Sequence, residues 1–255
     1  MIFVMDVGNT NIKNGLYEGE TLKHSWRTTS NAKETADELG IKMTSFFQYV
    51  NVPVSEVEGI IGSSVMPSIN YTIEHMCRLY FGKTPLFVGP GVKTGINIRY
   101  DSPSNLGADR ICSAVAATRL YGRPLIVIDF GTASTFNVID ANGDFLGGAI
   151  CPGIKIAARA LVDNTARLPK VELIKPASPI GKNTIAGMQA GLLYGYIGQI
   201  EYLIKKIMQQ MGEEDVKIIA TGGMASLIVE ECAYRIILNS TLTLDGLRMI
   251  YDLNR

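Results

Sequence analysis

Ile2-Phe-Val-Met-Asp-Val-Gly-Asn-Thr-Asn11 and Leu125-Ile-Val-Ile-Asp-Phe-Gly-Thr-Ala-Ser134 are two copies of one element. Each is an apolar run, then Asp-x-Gly, then small hydroxyl or amide residues. Asp6 and Asp129 stand 123 positions apart in a chain of 255 residues, close to half its length. Each copy leads into a second strand-like run that ends at a glycine turn, Gly19 in one and Gly143 in the other. A β-turn-β unit repeated at half-chain spacing predicts two related halves. One copy alone reads as a plain turn after a strand, because short glycine motifs are weak by themselves. The repeat is what gives the pair weight.

The chemistry of such a turn follows from its residues. A buried strand carries the Asp to its end. Glycine lets a ligand approach the backbone closely. Successive N–H groups in a tight turn form a concavity for anions. Asn9, Thr10, Thr132 and Ser134 add neutral donors for phosphate oxygens. A carboxylate repels phosphate, so Asp6 and Asp129 are better suited to holding a cation. Two facing turns would form a phosphate clamp between two domains.

Working outward, strands are expected at Ile2–Met5, Ile12–Tyr17, Gly59–Val65, Pro85–Val88 and Val216–Ala220, besides those of the second copy. Helical spacing predicts helices over Ala32–Val50, Ile69–Phe81, Asp109–Leu120, Pro152–Leu161, Asn183–Met211 and Leu244–Leu253. The alternation argues for an α/β fold. The halves are taken as residues 1–117, with the first phosphate loop, and 118–255, with the second. At roughly 150 residues per domain, the length alone allows one or two domains.

Composition narrows the function. Apolar residues are 47% and charged residues 19%, enough for a substantial core. Lys+Arg and Asp+Glu are 24 each. Without a basic excess, nucleic acid is not an expected partner, and a small molecule remains. Cys77, Cys112, Cys151 and Cys232 are scattered, with no CxxC pair, which points to a reducing cytoplasm. No run approaches the ~20 apolar residues of a membrane span, so no membrane partner is expected.

Competing motifs fail. Pro179-Ile-Gly-Lys-Asn-Thr184 has Asn where a P-loop needs Ser or Thr, and Pro176 where its first Gly belongs. Gly89-Pro-Gly91 lacks the dinucleotide spacing. His24 and His75 are the only histidines and stand in no catalytic pattern. Chemistry is left to carboxylates, a metal and hydroxyls.

Asp6-Val-Gly-Asn-Thr-Asn11, Gly107-Ala-Asp-Arg110, Asp129-Phe-Gly-Thr-Ala133, Pro152-Gly-Ile154 and Thr221-Gly-Gly223 occur in that order. In wording and order they resemble type III pantothenate kinase, within the actin-like ATPase and sugar-kinase superfamily. The similarity extends to Val88-Gly-Pro-Gly91 and Leu242-Thr-Leu-Asp-Gly-Leu247. Ala225 to Asn239 departs from the family's pattern, and Ala32 to Ile41 follows it loosely.

The resemblance implies two duplicated actin-like (ribonuclease H-like) α/β domains with a nucleotide cleft between them. It implies ATP-dependent phosphorylation of pantothenate to 4′-phosphopantothenate, the first step of coenzyme A biosynthesis. It also implies ATP with Mg²⁺, a monovalent cation (K⁺ or NH₄⁺), and a homodimer whose site is completed across the interface. By motif match, Asp6, Val7, Gly8, Asn9, Thr10, Asn11, Ile12 and Lys13 form the first phosphate loop, with Asp6 near Mg²⁺ and acting indirectly. Thr132 matches an ATP contact and Asp129 the monovalent-cation ligand. Asp109 matches the base. Tyr100, Gly107, Ala108, Asp109, Arg110 and Thr184 match the substrate site, with Thr184 reaching across the dimer.

Several roles make independent sense. Pantothenate carries a carboxylate, for which Arg110 offers a planar fork. A primary hydroxyl is a poor nucleophile, so a positioned base such as Asp109 helps phosphoryl transfer. Asp109 also reads as a helix-start acid, and Arg110 as a helix surface residue. On the Asn183–Met211 helix, Gly187, Gly191, Gly195 and Gly198 recur every three to four residues, each costing about 1 kcal/mol relative to Ala. Such a face suits another subunit's helix, or close packing inside one chain. Two other readings stand beside the kinase: another small-molecule kinase of the superfamily, and a non-catalytic nucleotide-binding regulatory accessory factor.

Overall fold

The computed structural model describes residues 1–213 and 215–255. Contacts divide the chain into two compact units: residues 1–96, 101–116 and 241–255 form the first, and residues 97–100 and 117–240 the second.

The first unit is built on β1 (Ile2–Val7), which is buried throughout. β2 (Asn11–Glu18) and β3 (Thr21–Thr29) follow it antiparallel, and β4 (Gly59–Ser64) and β5 (Leu86–Phe87) add on the other side in parallel, giving the order β3-β2-β1-β4-β5. Side chains alternate across a strand. Phe3, Met5 and Val7 therefore join one cluster with α1 (Ala36–Tyr49) and α2 (Pro67–Phe81), where Phe3, Trp26, Phe47 and Phe81 pack ring against ring. Val4 and Asp6 point to the other face.

β3 was not among the expected strands. Its alternation of exposed and half-buried positions, with Leu22, His24 and Trp26 inward, is that of an edge strand wet on one side. α1 starts at Ala36, four residues after the expected Ala32. Thr35 is its N-cap, exchanging bonds with Glu38 in a capping box: the Glu38 N–H donates to Thr35 Oγ1 at 3.2 Å and the Thr35 N–H to Glu38 Oε2 at 2.8 Å.

α3 (Ala108–Tyr121) counts with the first unit through Ala116 and with the second from Ala117. The second unit repeats the first. β7 (Leu125–Phe130), β8 (Ala133–Ile139) and β9 (Asp144–Pro152) run antiparallel, and β10 (Lys217–Thr221) and β11 (Ile236–Leu238) continue from β7 in parallel. The order β9-β8-β7-β10-β11 reproduces that of the first sheet, and β6 (Asn97–Ile98) is added beyond β9. Ile126, Ile128 and Phe130 pack on α5 (Thr184–Met211) and α6 (Ala225–Val229), while α4 (Ile154–Asp163) follows β9. α5 is capped by Asn183, whose Oδ1 accepts from the Ala186 N–H at 2.9 Å, and ends at Gly212 with φ +68°. Residues 225–239 hold α6 and β11.

Two details of the duplication differ from the sequence alignment. Asp6 pairs with Lys13 across the first hairpin, and Asp129 with Thr135 across the second. The loop between paired strands is 8–10 in one copy and 131–132 in the other, so the 123-residue offset falls to 122 beyond it. The last helix, α7 (Leu242–Asn254), belongs to the first unit and not with residues 118–255. It packs on β1, β2 and β4, and the Tyr17 hydroxyl donates to its Asp245 at 2.6 Å.

Candidate active site

Asp6 is buried near the carboxyl end of β1, where ligands gather in sheets with parallel strands. β4 brings Ser63 into register beside it, and Ser63 Oγ donates to Asp6 Oδ1 at 2.8 Å. From β2, Lys13 Nζ stands 3.3 Å from Oδ2. Both carboxylate oxygens thus have protein partners, which suits a metal contact made through water. Ser63 carries no local sequence signal, since a partner 57 residues away is fixed by strand pairing alone.

The loop that follows has an exposed tip at Asn9, Thr10 and Asn11. Val7 and Ile12 flank it with buried side chains, so only their backbone can face a ligand. Ser30 braces the loop. Its N–H donates to the Thr10 carbonyl at 3.0 Å and its hydroxyl to the Gly8 carbonyl at 2.6 Å. In a trans peptide the next N–H points opposite the carbonyl. Holding the Gly8 carbonyl therefore aims the Asn9 N–H away from Ser30.

Gly107-Ala-Asp-Arg110 forms the entry to α3. Asp109 folds back, accepting the Arg110 N–H on Oδ1 at 2.8 Å. A β-carbon at Gly107 would lie 2.5 Å from that same Oδ1, so glycine leaves the room the carboxylate occupies. Arg110 is buried, unlike a helix surface residue, and the first-turn position of Asp109 is also favourable to the helix dipole. One turn on, Cys112 is fully buried. Burial first, then the Asp6 and Asp109 carboxylates, push its thiol well above the usual cysteine range, and it also bonds with Ser63. Asp6, Ser63, Cys112 and Asp109 therefore form one neighbourhood in the first unit.

The second unit repeats the Asp site with different neighbours. Asp129 lies on the face of β7 opposite the Ile126-Ile128-Phe130 cluster, and Thr221 of β10 stands beside it in register, as Ser63 stands beside Asp6. Across the hairpin its partner is neutral Thr135 where Asp6 has Lys13. Gly222, at φ +101°, closes on Asp129: a β-carbon there would lie 2.6 Å from Oδ1. Gly153 sits equally close to the carbonyl oxygens of Gly131 and Thr132, at 2.5 and 2.4 Å from its missing β-carbon. A carboxylate oxygen is a donor of the type hard cations take.

Tyr100 is counted in the second unit and Gly107–Arg110 in the first. It meets Phe145 of β9 edge-on, ring centres 6.4 Å apart. Thr184 is exposed at the start of α5. On the same helix Gly187, Gly191, Gly195 and Gly198 are exposed, and a β-carbon at any of them would meet nothing within 4 Å. Among the described residues, nothing packs on the glycine face. Among the described residues no helix is long and apolar enough to cross a membrane.

The sequence model of the family described as type III pantothenate kinase matches residues 2–206. Among solved structures, a Baf family protein of Campylobacter jejuni is 20% identical, with a TM-score of 0.61, covering 99% of this chain and 98% of the other. The activator of 2-hydroxyisocaproyl-CoA dehydratase from Clostridium difficile, bound to ADPNP, is 11% identical, with a TM-score of 0.54 and coverage of 99% and 94%. An inorganic polyphosphate/ATP-glucomannokinase from Arthrobacter is 13% identical, with a TM-score of 0.53 and coverage of 100% and 99%. At these identities the likeness is one of fold: an α/β protein with two mixed sheets, as in actin-like ATPases such as sugar kinases and dehydratase activators.

Proposed function

The chain belongs to the type III pantothenate kinase family, and from that premise we propose that it phosphorylates pantothenate with Asp109 as the base. The family implies ATP-dependent phosphorylation of pantothenate for coenzyme A synthesis. The observation that carries the finer reading is the α3 entry, where a carboxylate and a buried guanidinium share one turn near Asp6.

In this reading Arg110 pairs with the pantothenate carboxylate and Tyr100 lines the acceptor site. Asp109 takes the proton of the primary hydroxyl as its oxygen bonds to the γ-phosphorus and the bond to the β-phosphate oxygen breaks, releasing ADP. The exposed loop Gly8–Asn11 and Lys13 bind phosphate oxygens, and Thr132 contacts ATP. Mg²⁺ bound with ATP would neutralise charge on the transferring phosphoryl group. Asp6, with both oxygens engaged, would hold it through water. Asp129 is assigned the monovalent cation, K⁺ or NH₄⁺.

A coupled ADP-release assay with ATP, Mg²⁺ and K⁺ tests the reaction. ADP release that depends on pantothenate is expected. Release with a sugar but not with pantothenate would favour another kinase of the superfamily. Release with neither would favour a nucleotide-binding accessory role; the Campylobacter jejuni relative is itself named as a candidate transcriptional activator.

The open glycine face of α5 supports a homodimer with Thr184 at the head of the shared helix. Light scattering is expected to give twice the chain mass. Replacing Gly191 and Gly195 together by Leu should yield a monomer with about tenfold or more lower kcat/KM, since two isobutyl groups would hold the helices apart. A monomeric wild type of full activity would refute the shared site.

A further inference from the structure

The segment Leu242–Leu247 opens α7 and takes no part in the reaction as described, yet it grips the helix that carries Asp109. Thr243 Oγ1 lies 3.0 Å from Ser113 Oγ, and both side chains are buried. Three residues on, α7 crosses the α3 backbone with no side chain between. A β-carbon at Gly246 would fall 1.9 Å from the Cys112 carbonyl oxygen and 2.5 Å from its carbonyl carbon. Between these contacts, Asp245 accepts the Tyr17 hydroxyl at 2.6 Å and the Thr241 hydroxyl at 2.9 Å, so the same turn is tied to β2. Burial, and then the bond to Asp245, push the Tyr17 hydroxyl far above its usual range, so it stays a donor.

Cys112 and Ser113 follow Asp109 by three and four residues, one helical turn along. Fixing them fixes the height and rotation of the turn that presents Asp109 and Arg110. The geometry points to Thr243 and Gly246 as positioning residues for the acceptor site: α7 sets where the base and the guanidinium stand relative to β1 and β2. β1 and β2 carry Asp6 and Lys13, so one helix holds the acceptor turn and the first phosphate loop in a common frame. The inference rests on the assignment of Asp109 and Arg110 to pantothenate.

Thr243→Val keeps the shape and removes the hydroxyl. The expected result is a rise of about tenfold in KM for pantothenate and a fall of severalfold in kcat, with KM for ATP within about twofold of wild type. Thr243→Ser should restore both. A Thr243→Val enzyme that loses only thermal stability, or whose two KM values move together, overturns the inference. If Thr243→Val does not fold, Ser113→Ala carries the same comparison. A wild-type chain without pantothenate-dependent turnover removes the premise and overturns both readings. An active wild type with unmoved pantothenate kinetics in the variants overturns this one alone.

Discussion

Asp109→Asn is expected to lower kcat by about 10²- to 10⁴-fold, the range found for loss of a general base. KM for ATP should change little. The fold should survive, because the bond that Asp109 accepts from the Arg110 N–H does not need its charge. Asn Oδ1 can accept the Arg110 N–H as the carboxylate does at 2.8 Å, and Gly107 leaves the same room for either side chain. The change therefore separates two properties that share one residue. A first-turn acid is worth about 0.3–1 kcal/mol to its helix through the dipole, and Asn forfeits that. A shift of that size alters thermal unfolding by a few degrees and does nothing to the chemical step. An Asp109→Asn protein slightly less stable but with near-normal kcat would show that Asp109 serves only the helix. A protein of normal stability and far lower kcat would show that it takes the proton.

Much of the fold could be read because its strongest signals are local. The two Asp-x-Gly hairpins carry their own apolar strands and turn residues, and the long helix from Thr184 has a cap at Asn183 and a stop at Gly212. The alternation that places Asp6 and Asp129 on the faces opposite Phe3 and Ile128 is also present in the sequence as period two. What could not be read depends on pairing between distant segments. Ser63 and Thr221 become neighbours of the two Asp residues only because β4 and β10 add in parallel, after 57 and 92 residues respectively. β3 hid because an edge strand bearing Lys23, His24 and Arg27 is too polar for an apolar-run search. α7 was assigned by chain order to the second half, although its apolar face is complementary to β1, β2 and β4. The shorter loop of the second Asp-x-Gly hairpin was invisible to an ungapped alignment. It decides that Thr135, and not Phe136, faces Asp129.

Gly222→Ala should be the most damaging single-atom change near the second carboxylate, and its neighbour supplies the control. Gly222 sits at φ +101°, outside the left-handed helical region that other residues tolerate. Holding Ala there costs about 1–3 kcal/mol. The new methyl would also stand 2.6 and 2.7 Å from the Phe130 carbonyl carbon and nitrogen, and 2.6 Å from Asp129 Oδ1. Two of these are backbone atoms of a central strand, so β7 or β10 must shift, at about 1–3 kcal/mol more. The sum, about 2–6 kcal/mol, is a large part of the stability of an ordinary domain. At about 2–4 °C per kcal/mol, the melting temperature should fall by roughly 4–24 °C. At Gly223 a β-carbon would meet nothing within 4 Å, and Gly223→Ala should stay within about 0.5 kcal/mol of wild type. The functional consequence follows from which oxygen is displaced. If Asp129 holds the monovalent cation, Gly222→Ala assayed below its melting temperature should need about tenfold more K⁺ for half-maximal activity. The response to Mg²⁺, assigned to Asp6 in the other unit, should be unchanged. Equal K⁺ responses in Gly222→Ala and Gly223→Ala would show that Asp129 does not hold the cation. A raised K⁺ requirement confined to Gly222→Ala would tie the Thr221-Gly222-Gly223 turn to the cation through that one carboxylate.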